Sequence, residues 1–332
     1  MSTPRTRIGA RIVCAAHLGC AVIAMVAPLG GCRPDGPAPA GTATTPAAHA
    51  PVDVAWRDEH TATITYVDVA GSPRSIIAQL RPPGGAAPAA GWPVVVWSHG
   101  GADGKDVVAP VGDGWTTALH TAGHLVVAIA HPGRDLDERE LLCATIGIDD
   151  CDRFKYLTWD RPNDAAVVFD WLESLVADGE PIDLDRLVYG GHSAGSVSVL
   201  TVAGMTGHVP GDVQPPSDPR PVAFVAASPP GATTLSLDDT SLAAIDRPVL
   251  MLTGAGDATD GSVGLDRRTT FELLPPGDHR LLWIDDPRAR HTTFDLDLDA
   301  CRRSGGTRAE CRTLARTIAD DALTWLALVN GP

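Results

Sequence analysis

Gly191, His192, Ser193, Ala194 and Gly195 spell G-x-S-x-G directly after the apolar triplet Leu187, Val188 and Tyr189 and directly before the helix-like stretch Ala194 to Ala203. A serine on such a sharp strand-to-helix turn has its Oγ pushed out where a substrate carbonyl can reach it. Small neighbours let the strained turn form and let strand and helix approach closely. A serine hydroxyl is a poor nucleophile unless a base takes its proton, an acid orients that base, and N–H donors meet the oxyanion. Ser193 is the candidate nucleophile. His291 is the leading base, in RARHTTFD behind the apolar run Leu281 to Ile284. Asp257 is the leading acid, reached from the run Val249 to Thr253 through Gly254, Ala255 and Gly256; Asp260, three residues on, is the alternative. The chain order Ser, Asp, His is one that such sites use.

The other histidines fit lesser roles. His192 leaves the elbow in a different direction from Ser193 and is expected to pack or hydrogen-bond nearby. His99, in SHGG after an apolar run, suits a structural hydrogen bond, His131 in AHPG could line the cleft, and His279 in PPGDHR is expected to be structural. No close ligand spacing such as H-E-x-x-H points to a metal, and acyl transfer through a serine needs no metal or organic cofactor.

The elements that must position these groups follow from periodicity. ATITYVDV (62–69) alternates as a strand, and Ser75 to Leu80 pairs with it as a hairpin across Gly71 and Pro73. Val94 to Trp97, Leu125 to Ala130, Leu187 to Tyr189, Val222 to Ala226, Val249 to Thr253 and Leu281 to Ile284 are apolar runs of the kind buried on both faces of a sheet. Helices are expected at Trp115 to Thr121, Asn163 to Val176 with Pro162 near its start, Ala194 to Ala203, and Arg308 to Val329. The order predicts an α/β fold: a mostly parallel central sheet with helices on both faces, and a ligand site beyond the C-terminal strand edges. Pro132 to Tyr156 and Ser228 to Ile245 leave that edge and are expected to form the cleft rim. Trp97, Trp115 and Trp159 fit core positions better than ligand platforms.

The chain has 332 residues, 44% hydrophobic and 20% charged, enough for one sizeable core. Its 26 Lys and Arg against 41 Asp and Glu give a net charge of −15, which disfavours nucleic acid and anionic membrane surfaces as partners. Residues 1–31 read as a signal peptide, with Arg5, Arg7 and Arg11 ahead of the apolar stretch Ile12 to Leu29. Leu29, Gly30, Gly31 and Cys32 resemble a bacterial lipobox, which implies lipidation at Cys32. Residues 32–52, rich in Pro, Ala and Gly, then form a tether, and residues 53–332 the catalytic domain. An exported domain keeps Cys143, Cys151, Cys301 and Cys311; pairing Cys143 with Cys151 and Cys301 with Cys311 encloses two short polar segments.

Together, Ser98-His99-Gly100-Gly101, Asp160-Arg161-Pro162 with Asp164, the elbow, Asp257, and His291 with Phe294 and Asp295 resemble the bacterial branch of α/β-hydrolases related to dienelactone hydrolases and platelet-activating-factor acetylhydrolases. The resemblance spans roughly residues 60–328. It implies a triad of Ser193, Asp257 and His291 and an oxyanion hole from the backbone N–H groups of Gly101 and Ala194; the expected partner is a small ester, and the expected state a monomer. Dienelactone hydrolases proper use cysteine, so Ser193 turns the expectation toward ordinary carboxylic esters. Ser196 stands where the branch often carries glycine or a bulkier residue. A serine peptidase, an acyltransferase and a non-catalytic binding lipoprotein are the alternatives on the same fold.

Overall fold

The computed structural model describes residues 53–101, 113–149, 153–207, 217–259 and 261–329. The proposed signal segment, Cys32, the tether, Cys151 and Asp260 lie outside these residues. All described residues belong to one compact unit. Its elements are β1 (Asp53–Trp56), β2 (Thr61–Val67), β3 (Pro73–Arg81), β4 (Trp92–Ser98), α1 (Asp113–Thr121), β5 (Leu125–Ala130), α2 (Leu136–Thr145) and α3 (Arg153–Ala177). They continue with β6 (Ile182–His192), α4 (Ala194–Ala203), β7 (Ala223–Ala227), β8 (Val249–Gly254), α5 (Gly264–Glu272), β9 (Arg280–Ile284), a 3-10 turn (His291–Asp295), α6 (Leu298–Arg303) and α7 (Arg308–Val329).

The strands form one sheet in the order β1-β2-β3-β5-β4-β6-β7-β8-β9. The first three strands run antiparallel to their neighbours, and every pairing from β5 to β9 is parallel. Alternation along a strand sends successive side chains to opposite faces. Val94 and Val96 of β4 pack with α3 and α4, through residues such as Phe169, Val199 and Leu200. Val95 and Trp97 pack on the other face with Trp115 and Leu119 of α1 and Ile318, Ala322 and Trp325 of α7. Each fully buried valine or leucine contributes about 1.5–3 kcal/mol of transfer free energy, which is why these strands read as unbroken apolar runs. Trp97 and Trp115 are core residues, stacked with ring centroids 5.0 Å apart.

Three expectations need correction. Pro132 to Tyr156 is more than a rim loop. Asp135 caps α2 in a reciprocal box with Glu138, and Leu142, Cys143, Ile146 and Ile148 form a small core of their own against Trp159. The D-x-x-E signal was in the sequence, but a short apolar set hid inside a polar composition. The second correction concerns α3, which carries Pro162 in its interior. Proline there removes a helix hydrogen bond; the buried charged contacts of Asp160, Arg161 and Asp164 hold the segment in place instead. Third, the expected set of elements is short of β1, α5 and α6. β1 has four largely exposed residues, and the residues α5 buries include Arg267 and Thr270, so it shows no apolar stripe. Cys301 and Cys311 are disulfide-bonded across the α6–α7 connection, and Cys143 is also disulfide-bonded.

Candidate active site

The parallel strands deliver their polar termini to one edge: Ser98 ends β4, Ser193 follows β6, Ser228 follows β7, Asp257 follows β8, and His291 follows β9 after a short loop. At the elbow, Ser193 has φ 52° and ψ −116°, a conformation that costs a non-glycine residue about 1–3 kcal/mol. Its N–H donates to the Ala227 carbonyl at 2.9 Å. The flanking glycines are required by contact. A Cβ on Gly191 would come within 2.7 Å of the Gly195 backbone, and one on Gly195 would overlap the Ser98 carbonyl. Ser196, buried, donates from Oγ to the Ser193 carbonyl at 2.5 Å, which gives its hydroxyl a role in holding the turn.

His291 Nε2 lies 2.8 Å from Ser193 Oγ. Its other ring nitrogen, Nδ1, faces two groups: Asp257 Oδ1 at 3.2 Å and Ser228 Oγ at 2.6 Å. Asp257 is completely buried. Its Oδ2 accepts from Ser228 Oγ at 2.7 Å and from Thr253 Oγ1 at 2.8 Å, and Arg267 Nε stands 3.3 Å from Oδ1. Burial by itself would raise this carboxyl; the hydrogen bond from His291, the Arg267 charge and the Ser228 hydroxyl together hold it below the ordinary carboxylate value. It is therefore an anion at neutral pH. Ser193 and Ser228 both touch the imidazole, but only Ser193 is partly open to solvent and sits on the nitrogen opposite the acid.

His192 is buried, donates from Nε2 to the His291 carbonyl at 3.1 Å, and lies with its ring centroid 4.7 Å from that of His291. Burial and the neighbouring His291 push it down to about 3, so it stays neutral beside the His291 ring. Gly100 comes close enough to the elbow that a Cβ there would lie 2.7 Å from His192 Nδ1 and 3.4 Å from Ser193 Cβ. Gly101 follows, exposed, and Ala194 is the first residue of α4, where backbone N–H groups have no intrahelical acceptor.

The remaining residues singled out in the sequence build the floor beneath this edge. Ser98 Oγ bonds His131 Nε2 at 2.8 Å and the Tyr189 hydroxyl at 2.7 Å. Asp164 takes His131 Nδ1, Tyr66 and Arg74. His131 is thus buried and engaged on both nitrogens; it supports the cleft from below and does not line it. Burial, only partly offset by Asp164, brings it down to about 4. Arg161 donates to the His99 carbonyl at 2.6 Å, and His99 Nδ1 meets the Gly100 carbonyl at 2.6 Å, so α3 steadies the backbone leading to Gly101. His279 is half-buried just before β9, at the opposite end of the strands. Among the described residues no group of three or more His, Cys, Asp or Glu is arranged to hold a metal.

No family model and no curated protein matches the sequence. Among solved structures, Thermogutta terrifontis esterase 2, in the form phosphorylated by paraoxon, is similar with a TM-score of 0.50 and 15% identity, over 77% of this chain and 89% of that one. The chain has the α/β-hydrolase fold. Dienelactone hydrolase from Anabaena variabilis ATCC 29413 gives a TM-score of 0.46 and 18% identity over 79% of this chain and 94% of its own. The 2,6-dihydroxy-pseudo-oxynicotine hydrolase gives 0.45 and 16% over 74% of this chain, which spans 64% of that protein's length. Local sequence patterns do not reveal Ser228, Thr253 and Arg267. The available signal was position: Ser228 directly follows a buried strand at the same edge as Ser98, Ser193 and Asp257.

Proposed function

We propose that this protein hydrolyses carboxylic esters through an acyl-enzyme on Ser193. The observation that carries the reading is the 2.8 Å approach of His291 Nε2 to Ser193 Oγ, with the buried Asp257 anion on the imidazole's other side. Ser193 Oγ attacks the ester carbonyl carbon as its proton passes to His291 Nε2, and the carbonyl π-electrons move to oxygen. The N–H groups of Gly101 and Ala194 receive that oxyanion; one such donor is worth about 3 kcal/mol. Collapse breaks the bond to the alkoxy oxygen, which takes the proton from His291 and leaves as alcohol. Water then repeats the sequence on the acyl-enzyme and releases the acid.

Short-chain or soluble esters are the substrate class, a preference that initial rates with acetyl, butyryl and octanoyl p-nitrophenyl esters measure. Ser193→Ala should abolish that turnover with the fold intact by circular dichroism; retention of most wild-type turnover would remove Ser193 from the mechanism. Esterase 2 is described as phosphorylated by paraoxon, so an organophosphorus probe mapped by peptide mass spectrometry is a direct second test. The same proposal has the chain exported, lipidated at Cys32 and held to a membrane through the 32–52 tether. The disulfide between Cys301 and Cys311 supports an oxidising compartment. Cys32→Ser should move esterase activity from the membrane to the soluble fraction; unchanged membrane association would exclude the lipid anchor.

A further inference from the structure

We infer that Ser228 is a positioning residue through which Asp257 acts on His291, a hydroxyl inserted between acid and base. The inference rests on the proposed ester hydrolysis at Ser193. Its basis is a comparison of distances: Nδ1 of His291 stands 2.6 Å from Ser228 Oγ but 3.2 Å from the nearer oxygen of Asp257, while Ser228 Oγ stands 2.7 Å from Asp257 Oδ2. The two short hydrogen bonds between carboxylate and imidazole run through the serine, and the direct contact is the longer bond.

A hydroxyl has one proton and two lone pairs. Asp257 is buried and anionic, with Arg267 3.3 Å from one oxygen, so the Ser228 proton points at Oδ2. The lone pair left facing His291 then requires a proton on Nδ1, which leaves Nε2 unprotonated toward Ser193. The opposite orientation would place the Ser228 proton against Nδ1 and the imidazole proton against Ser193, the tautomer that cannot accept. The carboxylate thereby sets the direction of the hydroxyl, and the hydroxyl sets the tautomer. When Nε2 takes the Ser193 proton, Ser228 Oγ still accepts from Nδ1, so the imidazolium keeps its link to the anion.

The backbone is built to hold this side chain there. Ser228 has φ 49°, in the left-handed region that β-carbon-bearing residues avoid. Its N–H donates to the Leu252 carbonyl at 2.7 Å, and its carbonyl accepts from Arg267 Nη1 at 3.0 Å, with the Pro229 carbonyl accepting from the same nitrogen at 2.6 Å. Arg267 thus fixes both the main chain of Ser228 and the charge behind Asp257. The titratable or charged groups around His291 are Asp257 from the loop after β8, Arg267 from α5, His192 from the elbow, and Asp295, whose carboxylate is 3.8 Å from His192.

The positive φ supplies a control for strain, because glycine tolerates it and alanine does not. Ser228→Ala and Ser228→Gly should both lower kcat/KM by about 10- to 100-fold, the range of one hydrogen bond in a charged chain. The two should agree in activity although Gly is the less strained. In both, the acid limb of the kcat/KM profile should move to lower pH, since the imidazolium has lost its nearest acceptor. Wild-type kcat/KM in either variant, or a loss with the acid limb unmoved, would overturn the role. A fluorophosphonate label mapped to Ser193 in wild type tests the ester hydrolysis independently of the two variants. A label on Ser228 instead would overturn both assignments at once, making it the nucleophile.

Discussion

Asp257 shows how little a carboxylate's identity says until its surroundings are known. Four donors or charges converge on it from β8, the β7 terminus, α5 and His291, and they outweigh the burial that would otherwise raise its pKa. A neutral amide in its place could not hold the Nδ1 proton in the same way. Asp257→Asn should therefore lower kcat by on the order of 10⁴, by analogy with the same change in serine proteases. Asp260→Asn should leave kcat within a few-fold, a margin well inside the tenfold that about 1.36 kcal/mol represents. Steady-state kinetics on the two variants checks the order; greater damage from Asp260→Asn would reassign the acid.

At the scale of elements, the candidate catalytic edge depends on how closely β6 and α4 approach the end of β4. Gly191 and Gly195 let the elbow press onto the Ser98 carbonyl, and the Ser193 N–H is tied across to β7. A methyl group on Gly195 meets backbone, which cannot rotate away as a side-chain tip could. Gly195→Ala should cost roughly 1–3 kcal/mol or more as overpacking. It should also lower ester turnover by tilting Ser193 away from His291. Thermal unfolding and kinetics measured together test this, and wild-type values in both would show that the crossing has slack. The charged segment around Pro162 in α3 serves the same edge from beneath, since Arg161 holds the His99 backbone and Asp164 holds His131.

Across the whole molecule, buried imidazoles tie stability to pH. His131 and His192 are held at about 4 and about 3, and His99 well below 6.5, in each case chiefly by burial. The unfolded chain takes up protons on these groups near 6.5, whereas the folded chain does not. Their contribution is therefore complete above about pH 6.5 and is lost as the pH falls toward 4 and then 3. Asp164 and Asp257, held below their ordinary 3.8, act in a separate and lower window: they stabilise above that value and lose the contribution beneath it. Tm should fall steadily between about pH 6.5 and 4, before the carboxylates titrate. A Tm that stays flat over that interval would show that the histidines are not held neutral.

The local pattern of the sequence carried the parallel strands, the elbow at Ser193, the candidate base His291 and the preference for Asp257, because each depends on a short run of residue types at a fixed offset. Apolar runs such as Val94 to Trp97 announce two-sided burial, and G-x-S-x-G announces a turn whose neighbours must be small. Position in three dimensions decided the rest. Ser228 and Arg267 are polar residues with no periodic signal, separated from His291 by 63 and from Ser228 by 39 residues respectively. They meet at Asp257 only because β7, β8 and β9 lie side by side and end at one edge. Likewise Pro162 marks a helix start in local terms, yet the buried charges around it carry α3 through. Hydrogen bonds and ion pairs between distant segments leave no spacing to read, so which hydroxyl stands between the acid and its histidine is a property of the folded chain alone.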